Sequence, residues 1–168
     1  AKCLNLKAAH CTIERCTFSN SFQPRFLPAE WYFEEGSSIR NFTVRDCTFT
    51  DNNHPNIVIG ASPVSGVPGA KPIMSEAPGN ISHDSAKILI EGNSFTGYGT
   101  TPSVFGWNWP VGPAITITNA AHVIIRGNTF GPLAESVPSG TPKILVEKSE
   151  GVRITDNQGL SAEQTTVR

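Results

Sequence analysis

The densest cluster of aromatic and acidic residues in this 168-residue chain is the run W-Y-F-E-E-G at residues 31–36. Aromatic faces cover sugar rings, and carboxylates hold sugar hydroxyls or act as acid and base, so this combination suits carbohydrate chemistry. If Phe33 faces inward, Tyr32 and Glu34 share the outer face of a strand. In the alternative, the aromatic rings fill the core and the glutamates are solvated. The run supplies a candidate catalytic carboxylate, Glu34, and candidate sugar-binding residues Tyr32, Trp31 and Glu35.

A second aromatic cluster is the run F-G-W-N-W-P at residues 105–110. Trp107 and Trp109 are expected to line a loop near the mouth of a groove, where they would add to the sugar-binding set. The alternative is that the two tryptophans only pin a long loop. Neither a G-x-S-x-G elbow nor a glycine-rich phosphate loop occurs in the sequence, so serine-hydrolase and nucleotide chemistry are not expected.

A repeated strand pattern must position these residues. One octet recurs as C-T-I-E-R-C-T-F, F-T-V-R-D-C-T-F, I-L-I-E-G-N-S-F, V-I-I-R-G-N-T-F and V-R-I-T-D-N-Q-G, beginning at residues 11, 42, 88, 123 and 152. Its sixth position recurs at separations of 31, 46, 35 and 29 residues and holds Cys16, Cys47, Asn93, Asn128 and Asn157. A constant unit with variable connections indicates a repeat protein.

A second short strand pattern precedes the octets, at residues 4–6, 31–33, 115–117 and 144–146. Alternation within the octets places one set of side chains inward, Val44, Ile90, Ile125 and Ile154, and another outward, Arg45, Glu91, Arg126 and Thr155. Only a stack of such units buries the inward set. The sequence therefore predicts one all-β domain over residues 1–168, a right-handed parallel β-helix of about five coils with long loops at 50–86 and 96–113.

Stacking would place equivalent residues roughly 4.8 Å apart. The sixth octet position then forms a ladder of cysteine and asparagine, and the eighth position forms a ladder of Phe18, Phe49, Phe95 and Phe130. The outward residues Glu14, Arg45, Glu91 and Arg126 alternate in sign from one unit to the next. Neighbouring charges attract, which favours this register over a slipped stack.

Composition excludes several partners. The formal charge of -1 gives no field that would gather nucleic acid or anionic lipid. No stretch approaches the roughly 20 apolar residues of a membrane span, and the N-terminus lacks the order of a signal peptide. Because the chain opens directly into a strand pattern, we expect a piece of a longer protein, with an extracellular or periplasmic location and an export signal or catalytic half upstream.

The cysteines and histidines predict no metal site or other cofactor, because no C-x-x-C or histidine-rich ligand spacing occurs. Cys16 and Cys47 occupy the same slot on adjacent units, where inward stacking explains them, although a disulfide bond between them is geometrically possible. The histidines share no common spacing and read as surface or turn residues: His10, His54, His83 and His122.

Residues 29–53, which contain the run W-Y-F-E-E-G, resemble a stretch of the glycoside hydrolase family 110 α-galactosidases, where an aromatic-aromatic-Glu-x-Gly strand precedes a β-helix rung. Residues 4–18 and 87–130 are similar, in the order of their rungs, to the C-terminal part of that pectate-lyase-like β-helix. The resemblance implies an exo-acting inverting enzyme that removes terminal α-1,3-linked galactose. Glu34 matches the family's carboxylate and Tyr32 its aromatic residue. The family's paired aspartates have no match here, so catalytic acids are expected partly outside this chain.

Two functions follow from these patterns. The first is an α-galactosidase-like hydrolase that acts on terminal galactosides, and the second is a non-catalytic β-helix that binds glycans or builds a structure. A polysaccharide lyase would need an acidic calcium cluster and a basic residue in one groove, which the sequence does not show. The first function requires a second carboxylate near Glu34, with Glu14, Asp46 and Asp84 as candidates. Open strand edges favour a homo-oligomer or flanking coils.

Overall fold

The computed structural model describes residues 2–4, 10–19, 23–24, 40–52, 56–59, 85–98, 103–104, 107–108, 113–118, 120–135, 137 and 140–167. Within these ranges the protein is all-β, with one short 3-10 helix at Ala162–Gln164 and no helix long and apolar enough to cross a bilayer. The strands are β1 (Lys2–Leu4), β2 (Thr12–Glu14), β3 (Thr17–Ser19), β4 (Gln23–Pro24), β5 (Arg40–Arg45), β6 (Thr48–Thr50), β7 (Ile57–Ile59), β8 (Ser85–Glu91), β9 (Ser94–Thr96), β10 (Ser103–Val104), β11 (Trp107–Asn108), β12 (Ile115–Thr118), β13 (Ala120–Arg126), β14 (Thr129–Phe130), β15 (Ile144–Glu147), β16 (Arg153–Thr155) and β17 (Thr165–Val167).

Three parallel sheets stack their strands in chain order. Sheet I contains β7, β12, β15 and β17, sheet II contains β2, β5, β8, β13 and β16, and sheet III contains β3, β6, β9 and β14. Two passages of the chain through the three sheets are described in full, and both visit sheets I, II and III in that order: β7, β8 and β9, then β12, β13 and β14. Parallel, in-register stacking of this kind is compatible with a β-helix. One set of strands across the three sheets is called a rung below.

The fifth octet position turns the chain from sheet II into sheet III. Its φ angle is positive in all five octets, at Arg15 (53°), Asp46 (53°), Gly92 (65°), Gly127 (62°) and Asp156 (57°). Glycine enters this left-handed region without steric cost, and aspartate is enriched there among other residues. The turn ends one strand and starts the next, so the octet encodes a corner as well as two strands.

The apolar core is built from the inward octet positions. Val44, Ile90 and Ile125 are fully buried, and Ile154 in the last described rung is partly buried against the same core. The outward residues Arg45 and Arg126 are exposed. The predicted alternation is therefore confirmed in sheet II.

The phenylalanine ladder is also confirmed. Ring centroids lie 5.0 Å apart for Phe18 and Phe49, 4.9 Å for Phe49 and Phe95, and 5.0 Å for Phe95 and Phe130. The rings are nearly parallel, with interplanar angles of 9°, 11° and 14° along the series. The stack thus repeats at about the strand separation of a sheet, roughly 4.8 Å, and it holds the rungs in register from inside.

The sixth octet positions form a buried polar ladder. Oδ1 of Asn128 accepts hydrogen bonds from the backbone N–H and the Nδ2 of Asn93, at 2.9 and 3.0 Å. Asn157 does the same for Asn128, at 2.9 Å for both bonds. In addition, Nδ2 of Asn128 donates to the carbonyl oxygen of Ile90, one rung earlier, at 3.0 Å. Each asparagine therefore satisfies backbone groups of the preceding rung at the corner, where sheet pairing is interrupted.

Two cysteines begin the same ladder. The backbone N–H of Cys47 donates to Oδ1 of Asn93 at 3.0 Å, as an asparagine in that place would. The thiol of Cys47 lies 3.2 Å from the carbonyl oxygen of Arg45, and the thiol of Cys16 lies 3.3 Å from that of Glu14. The predicted ladder of cysteine and asparagine is confirmed.

The prediction of long loops at 50–86 and 96–113 is wrong in part, because both segments contain short strands. Sheet I contains β7, whose Ile57 and Ile59 are fully buried and pair with β12. The second segment contains β10 and β11, which form an antiparallel pair outside the three sheets. The three apolar residues Ile57–Ile59 form too short a pattern for the sequence alone to distinguish a strand from a loop. In the structure they are the first strand of sheet I.

Candidate functional site

The outward face of sheet II carries a straight row of alternating charges. In-register pairing places Glu14 beside Arg45, Arg45 beside Glu91, and Glu91 beside Arg126. Thr155 of β16 continues the row. We call Glu14, Arg45, Glu91 and Arg126 the charged row. Because each strand contributes one side chain, the row runs perpendicular to the strands and along the stack.

The charged row forms two ion pairs. Nε of Arg45 donates to Oε2 of Glu14 at 2.8 Å, and Arg126 contacts Oε1 of Glu91 at 2.7 Å. Arg15 also reaches Glu14, at 3.0 Å. The two arginine side chains remain about half exposed, at 48% for Arg45 and 50% for Arg126. The row therefore presents its polar atoms to solvent while it pairs internally.

The ion pair shifts the ionisation of its carboxylate. The hydrogen bond and the charge of Arg45, with the charge of Arg15, hold the pKa of Glu14 below its ordinary value of 4.5. The hydrogen bond and charge of Glu14 raise the pKa of Arg45. At neutral pH Glu14 is thus an ionised acceptor, and it is unsuited to act as a general acid, which needs a raised pKa.

Stability should reflect this shift in a defined direction. Because the folded pKa is lowered, the stabilisation from ionised Glu14 is fully present above pH 4.5 and is lost as the pH falls through the lowered value. At pH 7 and low salt, Glu14→Gln should lower the melting temperature slightly, since exposed pairs contribute little. The difference should vanish in acid and in high salt. Exposed Glu135 provides the control Glu135→Gln, and a difference between Glu14→Gln and wild type that persists in acid would contradict the assignment.

A partly exposed aliphatic stripe lies beside the charged row. Leu89 and Ile124 are paired neighbours on β8 and β13, two residues before Glu91 and Arg126, and both are half-buried. Thr43 is paired with Leu89 on the preceding rung. An apolar stripe next to carboxylates and guanidinium groups can contact the C–H face of a sugar ring while the charges bind its hydroxyls.

A row of residues with left-handed backbone conformation borders the outward face of sheet II, at or near the start of its strands. Asn41, Lys87 and His122 have φ angles of 51°, 57° and 56° within β5, β8 and β13, and His10 has 57° just before β2. Nδ2 of Asn41 lies 3.2 Å from Nδ1 of His10. Sequence reasoning treated these histidines as isolated, whereas the stack places His10 and His122 in one row. Asparagine and histidine are enriched among non-glycine residues in this left-handed region, so their residue types gave a weak signal that sequence reasoning did not use.

Sheet III presents a different, uncharged face. Its outward residues are hydroxyl side chains in two rows, Thr17, Thr48, Ser94 and Thr129 in one and Ser19, Thr50 and Thr96 in the other. The signal was present in the sequence, because the seventh octet position reads Thr, Thr, Ser and Thr in the first four octets. Sequence reasoning used only the flanking sixth and eighth positions.

Most of the predicted site residues lie outside the described residues, namely Trp31, Tyr32, Glu34, Glu35, Trp109 and the candidate carboxylate Asp84. Trp107 belongs to β11, but its side chain is not among those described. Asp46 occupies the corner after β5, where a Cβ placed on Gly92 would come within 2.6 Å of its Oδ1. Its carboxylate is thus packed against the next rung's corner.

No group of three potential metal ligands among histidine, cysteine, aspartate and glutamate occurs in the described part of the chain. Comparisons with protein-family models, with curated proteins and with solved structures found no match. The chemistry of the described faces is therefore the basis for a functional assignment.

Proposed function

We propose that this chain is part of a carbohydrate-active protein that binds a glycan along the outward face of sheet II. The observation that carries the proposal is the charged row beside the aliphatic stripe of Leu89 and Ile124. A glycan offers alternating hydroxyl groups and apolar ring faces, and this surface offers partners for both. In the proposal the three sheets wind as a right-handed β-helix, since parallel crossover connections are almost always right-handed.

The proposed ligand is a terminal α-1,3-linked galactoside, and the proposed full-length activity is inverting hydrolysis. Support comes from the resemblance of residues 29–53, whose second half coincides with β5 and β6 of this stack. Inversion needs a carboxylic acid with a raised pKa and a carboxylate that activates water. Glu14 has a lowered pKa and binds Arg45, so the proposal assigns the acid to Glu34 and assigns Tyr32 to the sugar.

Calorimetric titration with D-galactose and with a terminal α-1,3-galactosyl disaccharide, beside a galactose-release assay, tests the proposal. We expect saturable binding of the disaccharide by the wild-type chain. Glu34→Gln should abolish binding with little change in melting temperature, and the double variant Leu89→Ser/Ile124→Ser should weaken it. Glu135→Gln, which changes an exposed carboxylate away from the charged row, serves as the matched control. A chain that binds neither sugar, or a Glu34→Gln variant that binds normally and melts much earlier, would contradict the proposal.

A second candidate is a non-catalytic glycan-binding or structural β-helix. The observation that favours it is the internal pairing of the charged row, Glu14 with Arg45 and Glu91 with Arg126. Such pairing can serve register alone. Sugar binding without galactose release would support the glycan-binding form, and the absence of both would support the structural form.

A further inference from the structure

The first two members of the polar ladder differ from the other three. Asn93, Asn128 and Asn157 make several side-chain hydrogen bonds of 2.9 to 3.0 Å. Cys47 and Cys16 hold the equivalent places with thiol contacts of 3.2 to 3.8 Å. Thiols are weaker donors and acceptors than amides. Two adjacent rungs therefore lack the strong side-chain hydrogen bonds of the later rungs, and they carry thiols in the equivalent places instead.

The backbone brings these two cysteines within bonding distance. Thr17 and Thr48, the residues after each cysteine, are register partners, and the N–H of Thr48 donates to the carbonyl oxygen of Cys16 at 2.9 Å. Neighbouring strands lie about 4.8 Å apart. Disulfide bonds join residues whose Cα atoms are roughly 4.4–6.8 Å apart. The backbone spacing thus meets the requirement.

The two thiols are also oriented alike on their adjacent rungs. Each points toward the carbonyl oxygen two residues before it, so the side chains leave their corners in the same direction. Burial raises the pKa of Cys47, the backbone N–H of Cys16 lowers it, and the thiol of Cys16 raises it further. The ionisation of Cys47 is therefore coupled to both the backbone and the side chain of Cys16. Both cysteines are reduced in this structure.

We propose that Cys16 and Cys47 form a disulfide bond when the protein meets a low-molecular-weight disulfide such as oxidised glutathione. Cys16 is exposed, whereas Cys47 is 1% exposed, so Cys16 reacts first. Its thiolate attacks one sulfur of the oxidant, and one thiol leaves. The thiolate of Cys47 then attacks the sulfur of Cys16 and releases the second thiol. The two protein thiols are oxidised with loss of their protons, and the oxidant is reduced to two thiols.

The bond would close the segment 17–46, which contains the run W-Y-F-E-E-G at residues 31–36. Closing a loop removes conformations from the unfolded chain and ties both ends of the segment to adjacent rungs. The proposal is independent of the glycan-binding function, because it rests only on the ladder. Oxidation would therefore act as a covalent lock on the first two described rungs of sheets II and III.

A peptide map tests the pairing. Trypsin cleaves after Lys2, Lys7, Arg15 and Arg45, and therefore places Cys3, Cys11, Cys16 and Cys47 on four different peptides. After incubation of the protein with oxidised glutathione, non-reducing mass spectrometry should find the peptides of Cys16 and Cys47 joined. A stable glutathione adduct on Cys16 alone, or a link from either residue to Cys3 or Cys11, would overturn the proposal.

Thermal melting provides the second readout. Oxidation should raise the melting temperature of the wild-type protein by roughly 5–15 °C, and a reducing agent should reverse the shift. Cys47→Asn restores the ladder residue of the later rungs, so this variant should fold and yet show no response to oxidation. Cys11→Ser, which leaves the pair intact, should respond like wild type. A Cys47→Asn variant that still gains stability on oxidation would overturn the assignment.

Discussion

Replacing Phe95 by alanine is expected to lower the free energy of unfolding by about 3–5 kcal/mol. Phe95 is fully buried and stacks on Phe49 at 4.9 Å and on Phe130 at 5.0 Å. The substitution removes the apolar surface of a whole ring, leaves a cavity in mid-stack and breaks two aromatic contacts. Urea unfolding followed by tryptophan fluorescence and circular dichroism would measure the loss.

Phe130→Ala is the matched control for Phe95→Ala. Phe130 is 3% exposed, and among the described residues its ring stacks on Phe95 alone. Phe130→Ala should lower the free energy of unfolding by less than Phe95→Ala does. The difference should be about the contribution of one aromatic pair, roughly 0.5–1.5 kcal/mol. A Phe95→Ala variant that loses less stability than Phe130→Ala would show that the interior stack does not hold the rungs together.

Asn128→Ala should cost about 3–5 kcal/mol, as much as a large core residue, because it removes several buried hydrogen bonds at once and leaves a buried backbone N–H without its acceptor. Asn128 is fully buried. The substitution removes the acceptor of the Asn93 backbone N–H and the donor to the carbonyl oxygen of Ile90. The cost arises mainly from the buried N–H of Asn93, which loses its acceptor, and from the lost hydrogen bond to the carbonyl oxygen of Ile90.

Asn157→Ala makes the same chemical change at a half-buried position. Its amide serves the backbone N–H of Asn128 and the carbonyl oxygen of Ile125. Water can reach this last described rung, so we expect a loss of about 1–2 kcal/mol. Equal losses for the two variants, measured by urea unfolding, would mean that burial does not set the strength of the ladder.

Sequence reasoning succeeded where a residue type repeats at a fixed octet position. Phe49, Phe95 and Phe130 could be assigned to one stack because each ends an octet, and the same argument placed Asn93 and Asn128 on one ladder. Sequence reasoning failed for β7, since Ile57–Ile59 is not part of a repeated octet. Its strand conformation depends on its pairing with β12. Burial supplied by a neighbouring strand is not visible in a three-residue window.

The candidate site was predictable to a similar extent. The alternating charges of Glu14, Arg45, Glu91 and Arg126 followed from the octet register, and the structure shows two of the expected attractions as ion pairs. The aliphatic stripe was not foreseen, because Leu89 and Ile124 look like core residues when only their hydrophobicity is considered. Whether such a side chain is exposed depends on which face of the sheet it occupies, and apolar side chains are common on protein surfaces. The expectations for Tyr32 and Glu34 stay predictions.

The polar ladder has a direction, and that direction matches the order of synthesis. In three successive rungs the corner N–H donates to the asparagine of the rung that follows it: Cys47 to Asn93, Asn93 to Asn128, and Asn128 to Asn157. The amide of the later residue in turn reaches back to a carbonyl oxygen of the earlier rung. A rung that has just left the ribosome therefore remains incomplete until the next one emerges to close it. Chain growth from the N-terminus adds the missing partners one at a time, and the folded part serves as the template for the next addition.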